Sequence, residues 1–252
     1  MGQYHPGRLR RAAVRRYQAQ RVRQGAWRRG ARLLYRAKER RGGGRLASSE
    51  LTEDRAGGIL TLRLNQPEVR NALGSAMVQA LHSALARARE DTTVGAVIIA
   101  ASGDAFSAGA DLKEFLAARP ALEQALERRR LGALFLLIDA YPKALIAAVN
   151  GDALGAGFGL VAACHLAVAA EEAHFGLPGV RLGIMPMTIM PPVFNTLPRK
   201  LGLELMLTGR LMTATEAAGV GFVNRVVRAA DLGLEATALA SAASNNPLTF
   251  SE

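Results

Sequence analysis

Residues 144–159 read Ala144-Leu145-Ile146-Ala147-Ala148-Val149-Asn150-Gly151-Asp152-Ala153-Leu154-Gly155-Ala156-Gly157-Phe158-Gly159. Six apolar residues in a row, with no polar alternation, describe a strand buried on both faces. Asn150-Gly151 ends it, and the small residues from 155 onward open an apparent helix. A second stretch, upstream, has the same character. There the apolar strand Ala96-Val97-Ile98-Ile99-Ala100 leads to Phe106-Ser107-Ala108-Gly109-Ala110-Asp111-Leu112-Lys113. Small residues at strand-to-helix turns let a ligand approach the main chain, and first-turn N–H groups have no intrahelical acceptor. Two such sets of amides, brought together, make a site for an oxygen that gains negative charge. Neither stretch is a phosphate loop. Gly-Lys-Ser/Thr is absent, and residues 150–159 lack the dinucleotide spacing and a suitable downstream acid.

Working outward, residues 59–64 form a strand stopped by Asn65-Gln66-Pro67. Residues 75–90 have helical period, with Met77, Leu81 and Leu85 on one face and Ser75 as N-cap. A further helix spans 122–138 after Pro120, and another strand 166–169. Strands alternating with helices predict an α/β domain with buried sheets, and no internal repeat is visible. Half of the 252 residues are hydrophobic and 21% are charged, which excludes collagen-like, wholly disordered and disulfide-rich chains. A single cysteine, Cys164, cannot form an internal disulfide or a cysteine zinc site, so no metal is expected and a reducing compartment is. The longest apolar run, 151–170, is broken by glycines and His165, which speaks against a membrane span.

The net charge of +11 is unevenly placed. Residues 1–46 carry fifteen Arg/Lys against Glu39 alone, a net of +14, while the remainder is at −3. The expected organisation is a disordered basic extension over 1–55 and one domain over 56–252. Three readings of the extension stay open: an Arg-rich transit peptide, a basic arm for RNA or anionic surfaces with Tyr17, Trp27 and Tyr35 to stack, or a solvated stretch from an upstream start. The domain itself gives no reason to expect nucleic acid. A cytoplasmic location follows, or the mitochondrial matrix if the extension is a transit peptide.

Taken in order, these segments resemble the crotonase (enoyl-CoA hydratase/isomerase) family over about residues 56–235. The resemblance rests on Leu64-Asn65-Gln66-Pro67-Glu68-Val69-Arg70-Asn71-Ala72-Leu73, on residues 105–111 and 143–157, and on Phe175-Gly176-Leu177-Pro178, Leu207-Thr208-Gly209 and Gly221-Phe222-Val223-Asn224. Leu197-Pro198-Arg199-Lys200 and Met185-Pro186 resemble a divergent hydratase-domain subgroup. The resemblance implies a crotonase-like ββα spiral, a homotrimer or hexamer, and an acyl-CoA thioester as partner. Coenzyme A would arrive as part of the substrate, with no permanently bound cofactor. It implies that the backbone N–H groups of Ala110 and Ala156 form the oxyanion hole. Asn71, Ala72, Leu73, Ala108 and Lys113 map onto the CoA-binding surface, the peptide groups facing adenine and Lys113 a phosphate. The family's terminal helices look curtailed after the alanine-rich helix at 234–243.

Hydratases of the usual kind carry two glutamates, and the matching positions here are Gly159 and Gly179. Adding water to a conjugated double bond needs a base and an acid, and glycine is neither. A catalytically weak or inactive CoA-thioester binder is therefore the alternative to a lyase or isomerase, and an RNA-associated protein acting through the basic extension is the third reading. Glycine is expected to leave space at both positions. The other titratable candidates are Glu123 and Glu127, one helical turn apart, and His165, each with an ordinary structural reading. Asp111 is expected to cap the helix after the first loop. Met185, Met187 and Met190 fall near the acyl pocket the resemblance implies.

Overall fold

The computed structural model describes residues 50–116 and 120–244. Strands β1 (Leu51–Ala56) and β2 (Ile59–Leu64) form an antiparallel hairpin closed at Gly57-Gly58. Both glycines have positive φ, 56° and 77°, as a two-residue hairpin turn requires. The domain boundary expected at residue 56 is thus corrected to before Leu51, because β1 is already in the sheet. Sequence pattern could not show it: β1 is an edge strand whose residues after Leu51 are all exposed, and Thr52-Glu53-Asp54-Arg55 carries no apolar alternation. The rest of the basic extension lies outside the described residues.

After helix α1 (Ser75–Glu90), each turn of the chain delivers one strand to a large sheet, one to a small sheet, and then helix. Strands β3 (Ala96–Ala101) and β4 (Ala105–Ser107) lead to α2 (Leu112–Leu116) and α3 (Ala121–Asp139). Strands β5 (Ala144–Val149) and β6 (Asp152–Leu154) lead to α4 (Ala156–Ala163). Strands β7 (Leu166–Ala170) and β8 (His174–Gly176) lead to α5 (Met190–Thr196) and α6 (Arg199–Thr208). The chain closes with β9 (Leu211–Thr213), α7 (Ala214–Gly219), β10 (Arg225–Val227) and α8 (Leu232–Ser244). The large sheet has the order β1-β2-β3-β5-β7-β10, parallel from β2 on, and the small one β4-β6-β8-β9. This is the expected ββα spiral.

The apolar strands are explained by cover on both faces. Val97 and Ile99 of β3 join Leu81 and Leu85 of α1 in the main core. Ala96 and Ile98 point the other way and pack with Leu232, Ala236 and Ala240 of α8. Alanines four apart let that helix lie close to the sheet. Phe158 of α4, Phe175 of β8 and Phe222 hold the small sheet to α4, with ring centroids 4.9–6.4 Å apart. Each such pair is worth about 0.5–1.5 kcal/mol beyond burial. Asn224 ties in the end of this layer: its N–H donates to Ala167 O at 2.9 Å, and its side-chain oxygen accepts from Ala167 N at 2.8 Å.

Candidate functional site

Glycines bring the two loops together. A Cβ on Gly109, whose φ is 105°, would lie 2.9 Å from Leu154 O and 3.3 Å from Ala156 N. A Cβ on Gly157 would lie 2.6 Å from Ser107 Cβ and 2.7 Å from Ser107 O, and one on Gly151 only 2.0 Å from Asp104 O. Main chain therefore packs on main chain at three points, which only glycine permits. Ala110 forms an isolated parallel bridge with Leu73, whose N–H donates to Gly109 O at 2.6 Å. The residue at the centre of a parallel bridge turns its own N–H away from the partner strand. Ala156 opens α4 behind Gly155, whose N–H donates to Gly176 O at 2.9 Å, and the first intrahelical donor is Gly159. Neither the Ala110 nor the Ala156 N–H meets an acceptor among the described residues. The alanine at 156 is buried and that at 110 exposed.

Buried polar side chains hold the first loop. Asn71, fully buried with φ 52°, donates through Nδ2 to Ser102 O and Ala105 O at 2.8 and 2.9 Å. Its Oδ1 accepts from Gln66 N at 2.9 Å. Ser107 Oγ donates to Asn71 O at 2.8 Å and accepts from Gly109 N at 3.2 Å. The Asn71 side chain is thus an internal brace, turned away from any ligand surface. Ala108 N donates to Arg70 O at 2.9 Å, so residues 70–73 and 108–110 lie side by side. Ala72 and Ala108 are half-buried, Leu73 is buried, and Lys113 is exposed on α2. Asp111 caps α2 as expected, accepting from the N–H groups of Lys113 at 2.8 Å and Glu114 at 3.2 Å. The N-cap expected at Ser75 is corrected to Gly74; Ser75 is the first helical residue, and the carboxylate of Glu114 accepts from both its N–H and its hydroxyl.

Gly159 and Gly179 have unlike surroundings. A Cβ on Gly159 would sit 2.8 Å from Ile189 Cγ2 and 3.0 Å from Phe135 Cζ. The space expected there is taken by these apolar groups, and Phe135 is itself buried. At Gly179 the nearest atom to a new Cβ is Ile184 Cβ, at 3.7 Å, so that position is open. His165 is not brought to the site. Its N–H donates to Leu145 O at 3.0 Å and its Nδ1 accepts from Leu145 N at 3.1 Å. This lies at the start of β5, on the order of 16 Å along the strand from the Asn150 turn. Burial pushes its pKa down, with Asp139 opposing, so the ring favours the neutral form. Glu123 is exposed on α3, and the side chain of Glu127 lies outside the described residues. Met185 and Met187 are exposed and Met190 half-buried. Burial also pushes the Cys164 thiol up to about 12, which leaves it unreactive.

Among the described residues, no three His, Cys, Asp or Glu side chains are grouped to hold a metal, and no helix is long and apolar enough to cross a membrane. The sequence pattern of the enoyl-CoA hydratase/isomerase family matches residues 54–251. The chain is 36% identical over 183 residues to the rat enoyl-CoA hydratase domain-containing protein 3, mitochondrial, covering 73% of this chain and 61% of that protein. It is 40% identical over 188 residues to the 2,3-dehydroadipyl-CoA hydratase of Escherichia coli, covering 74% and 72%. A crystal structure of an enoyl-CoA hydratase from Mycobacterium smegmatis superposes with a TM-score of 0.76 at 39% identity, covering 78% of this chain and 77% of that one.

Proposed function

The chain belongs to the enoyl-CoA hydratase/isomerase (crotonase) family, and on that premise we propose that it binds an acyl-CoA thioester and holds its oxygen, as it becomes an enolate, with the N–H groups of Ala110 and Ala156. The observation that supports this is the close approach at Gly109, where a Cβ would lie 3.3 Å from Ala156 N, together with the lack of an acceptor for either N–H among the described residues. Donors fixed in advance need no reorganisation when charge develops, and each is worth about 3–4 kcal/mol where one has been removed from an oxyanion hole. The peptide groups of residues 71–73 and Ala108 face the adenine in this reading, and Lys113 meets a phosphate as a point charge. The acyl chain lies along the apolar wall formed by Phe135 and Ile189, and the assembly is a trimer or a pair of trimers.

A second reading has its own observation. With Phe135 and Ile189 packed where a glutamate side chain would leave Gly159, that side of the pocket supplies no base to orient water. The protein then serves as a CoA-thioester binder with weak hydration or isomerisation. Binding of acetoacetyl-CoA, an enolisable ligand, and of CoA alone tests the first reading on the purified protein. Acetoacetyl-CoA is expected to bind tighter than CoA, and Ala110→Pro, which deletes one N–H, to cut that preference about 100-fold in a folded protein. An unchanged preference overturns the oxyanion role. Crotonyl-CoA hydration separates the two readings: near-background turnover supports the binder, and robust turnover refutes it.

A further inference from the structure

The short helix α2 follows the first oxyanion donor immediately and is joined to α1 by one carboxylate. Glu114 Oε2 accepts from Ser75 N and from Ser75 Oγ, both at 2.9 Å. The intervening Gly74 gives the room: a Cβ there would lie 3.2 Å from Glu114 Oε1 and 3.4 Å from Asp111 Cβ. One residue earlier, Leu73 N donates to Gly109 O at 2.6 Å. Residues 73, 74 and 75 therefore touch 109, then 111 and 114, then 114 again. Ala110 lies between two stitches to the same segment, one just before it and one just after.

We infer that Glu114 is a positioning residue for the Ala110 N–H: it caps α1 from outside and thereby fixes the peptide that follows Ala110 against residues 73–75. The inference rests on the proposed oxyanion role for its functional consequence, while its structural half stands on the bonds alone. Asp111 caps α2 locally but bonds nothing in α1. The bridge at Leu73 flanks Ala110, and its short bond, Leu73 N–H to Gly109 O at 2.6 Å, lies on the N-terminal side. Without Glu114, the C-terminal side has no hydrogen bond to α1 among the described residues. Losing a helix cap of this kind corresponds to roughly a 5- to 10-fold change in a local equilibrium.

Full-length Glu114→Ala, Glu114→Gln and Ser75→Ala proteins decide the matter through three measurements: amide exchange at Leu73 and Ser75, the affinity ratio of acetoacetyl-CoA to CoA, and the thermal midpoint. Glu114→Ala is expected to speed exchange at both amides and to lower the affinity ratio, each roughly 5- to 10-fold. Glu114→Gln keeps an acceptor oxygen and recovers most of both. Ser75→Ala keeps the N–H and falls between. A lower midpoint with the ratio unchanged makes Glu114 merely structural and overturns the inference, as does unchanged exchange at Leu73. If the unmodified protein binds neither ligand, the proposed function fails. Exchange at Leu73 then decides the latch by itself, acceleration supporting it and no change refuting it.

Discussion

The two halves of the site are both made with glycine, but for opposite reasons. At Gly109, Gly151 and Gly157 the missing side chain is occupied by another stretch of main chain, so glycine is what builds the pair of loops. At Gly159 and Gly179, the positions that the family resemblance matches to glutamates, no main chain needs the room. The first half is over-determined: contacts at three glycines, a bridge at Leu73 and the buried Asn71 and Ser107 all fix the same two amides. The second half carries no such constraint, and its two positions differ, one filled by hydrophobic side chains and the other left open. Backbone packing of the first kind is tied to folding, whereas a side chain at a position of the second kind is not.

The contrast predicts a large effect at Gly157. A Cβ there meets the Ser107 main chain and side chain between 2.6 and 2.9 Å, and backbone cannot yield as a flexible side chain does. Gly157→Ala is expected to cost about 4 kcal/mol or more, in the range reserved for named core defects. In a domain of this size that lowers the thermal midpoint by roughly 10 °C. Scanning calorimetry checks it. A Gly157→Ala protein as stable as the parent would mean that the loops are not locked, and the comparison would lose its first term.

How much of this was legible beforehand follows the range of the interactions. Strands β3, β5 and β7 were visible because burial on both faces leaves an unbroken apolar run, β2 because Asn65-Gln66-Pro67 stops it, and the two glycine loops because turns are local. The cap by Asp111 was likewise local. Strand β1 was invisible, since an edge strand of Thr, Glu, Asp and Arg is held by backbone pairing that composition does not record. Glu114 was missed because its partner is 39 positions away, although the spacing Asp111-Leu112-Lys113-Glu114 was a signal that a carboxylate was available to cap something. Gly159 was misread for the same reason. Whether a glycine leaves a space depends on Phe135 and Ile189, which are close to it only in the folded chain.

A middle-sized effect belongs to Gly159. Introducing glutamate there overpacks the site against Phe135 and Ile189 and buries a carboxylate, at a cost of roughly 2–3 kcal/mol. Phe135→Ala alone leaves a cavity and is destabilising in its own right. Together the two changes should cost less than their sum, with a coupling of about 1–2 kcal/mol. Urea unfolding of the two single variants and the double variant measures that coupling. Strict additivity would show that Phe135 does not occupy the position, and the two glycine classes would then be harder to separate.

A smaller effect tests whether His165 belongs to the proton-transfer half. Burial holds its pKa below the ordinary value of about 6.5, so below that pH the unfolded chain binds more protons than the folded one. Its contribution to stability is therefore full above about 6.5 and is lost as pH falls towards the folded value. His165→Asn keeps an acceptor for Leu145 N and is expected to flatten that part of the profile of thermal midpoint against pH, with acyl-CoA binding unchanged. If binding or turnover collapses instead, the histidine acts at the site and the acid-free description is wrong.

The smallest effect, and the sharpest contrast with Gly159, is expected at Gly179. The residue is half-buried, has no strained φ, and would place a Cβ no closer than 3.7 Å to any neighbour. Gly179→Glu should change stability by no more than about 0.5 kcal/mol, the range of substitutions that disturb no packed feature. Two positions matched to the same catalytic pair would then differ several-fold in their tolerance of the same side chain. The chemical consequence follows from the same geometry. Under the proposed function, one carboxylate at this position supplies a single proton-transfer group, and such groups contribute about 10²–10⁴-fold when correctly placed. Gly179→Glu is therefore expected to raise crotonyl-CoA hydration measurably above the parent while remaining far below a two-glutamate enzyme, because the Gly159 side stays apolar. Steady-state assays of parent and variant at matched acyl-CoA occupancy provide the measurement. A folded Gly179→Glu protein that binds acyl-CoA and gains nothing would show that the open position does not face the reacting carbons, and that the site has lost more than its acids.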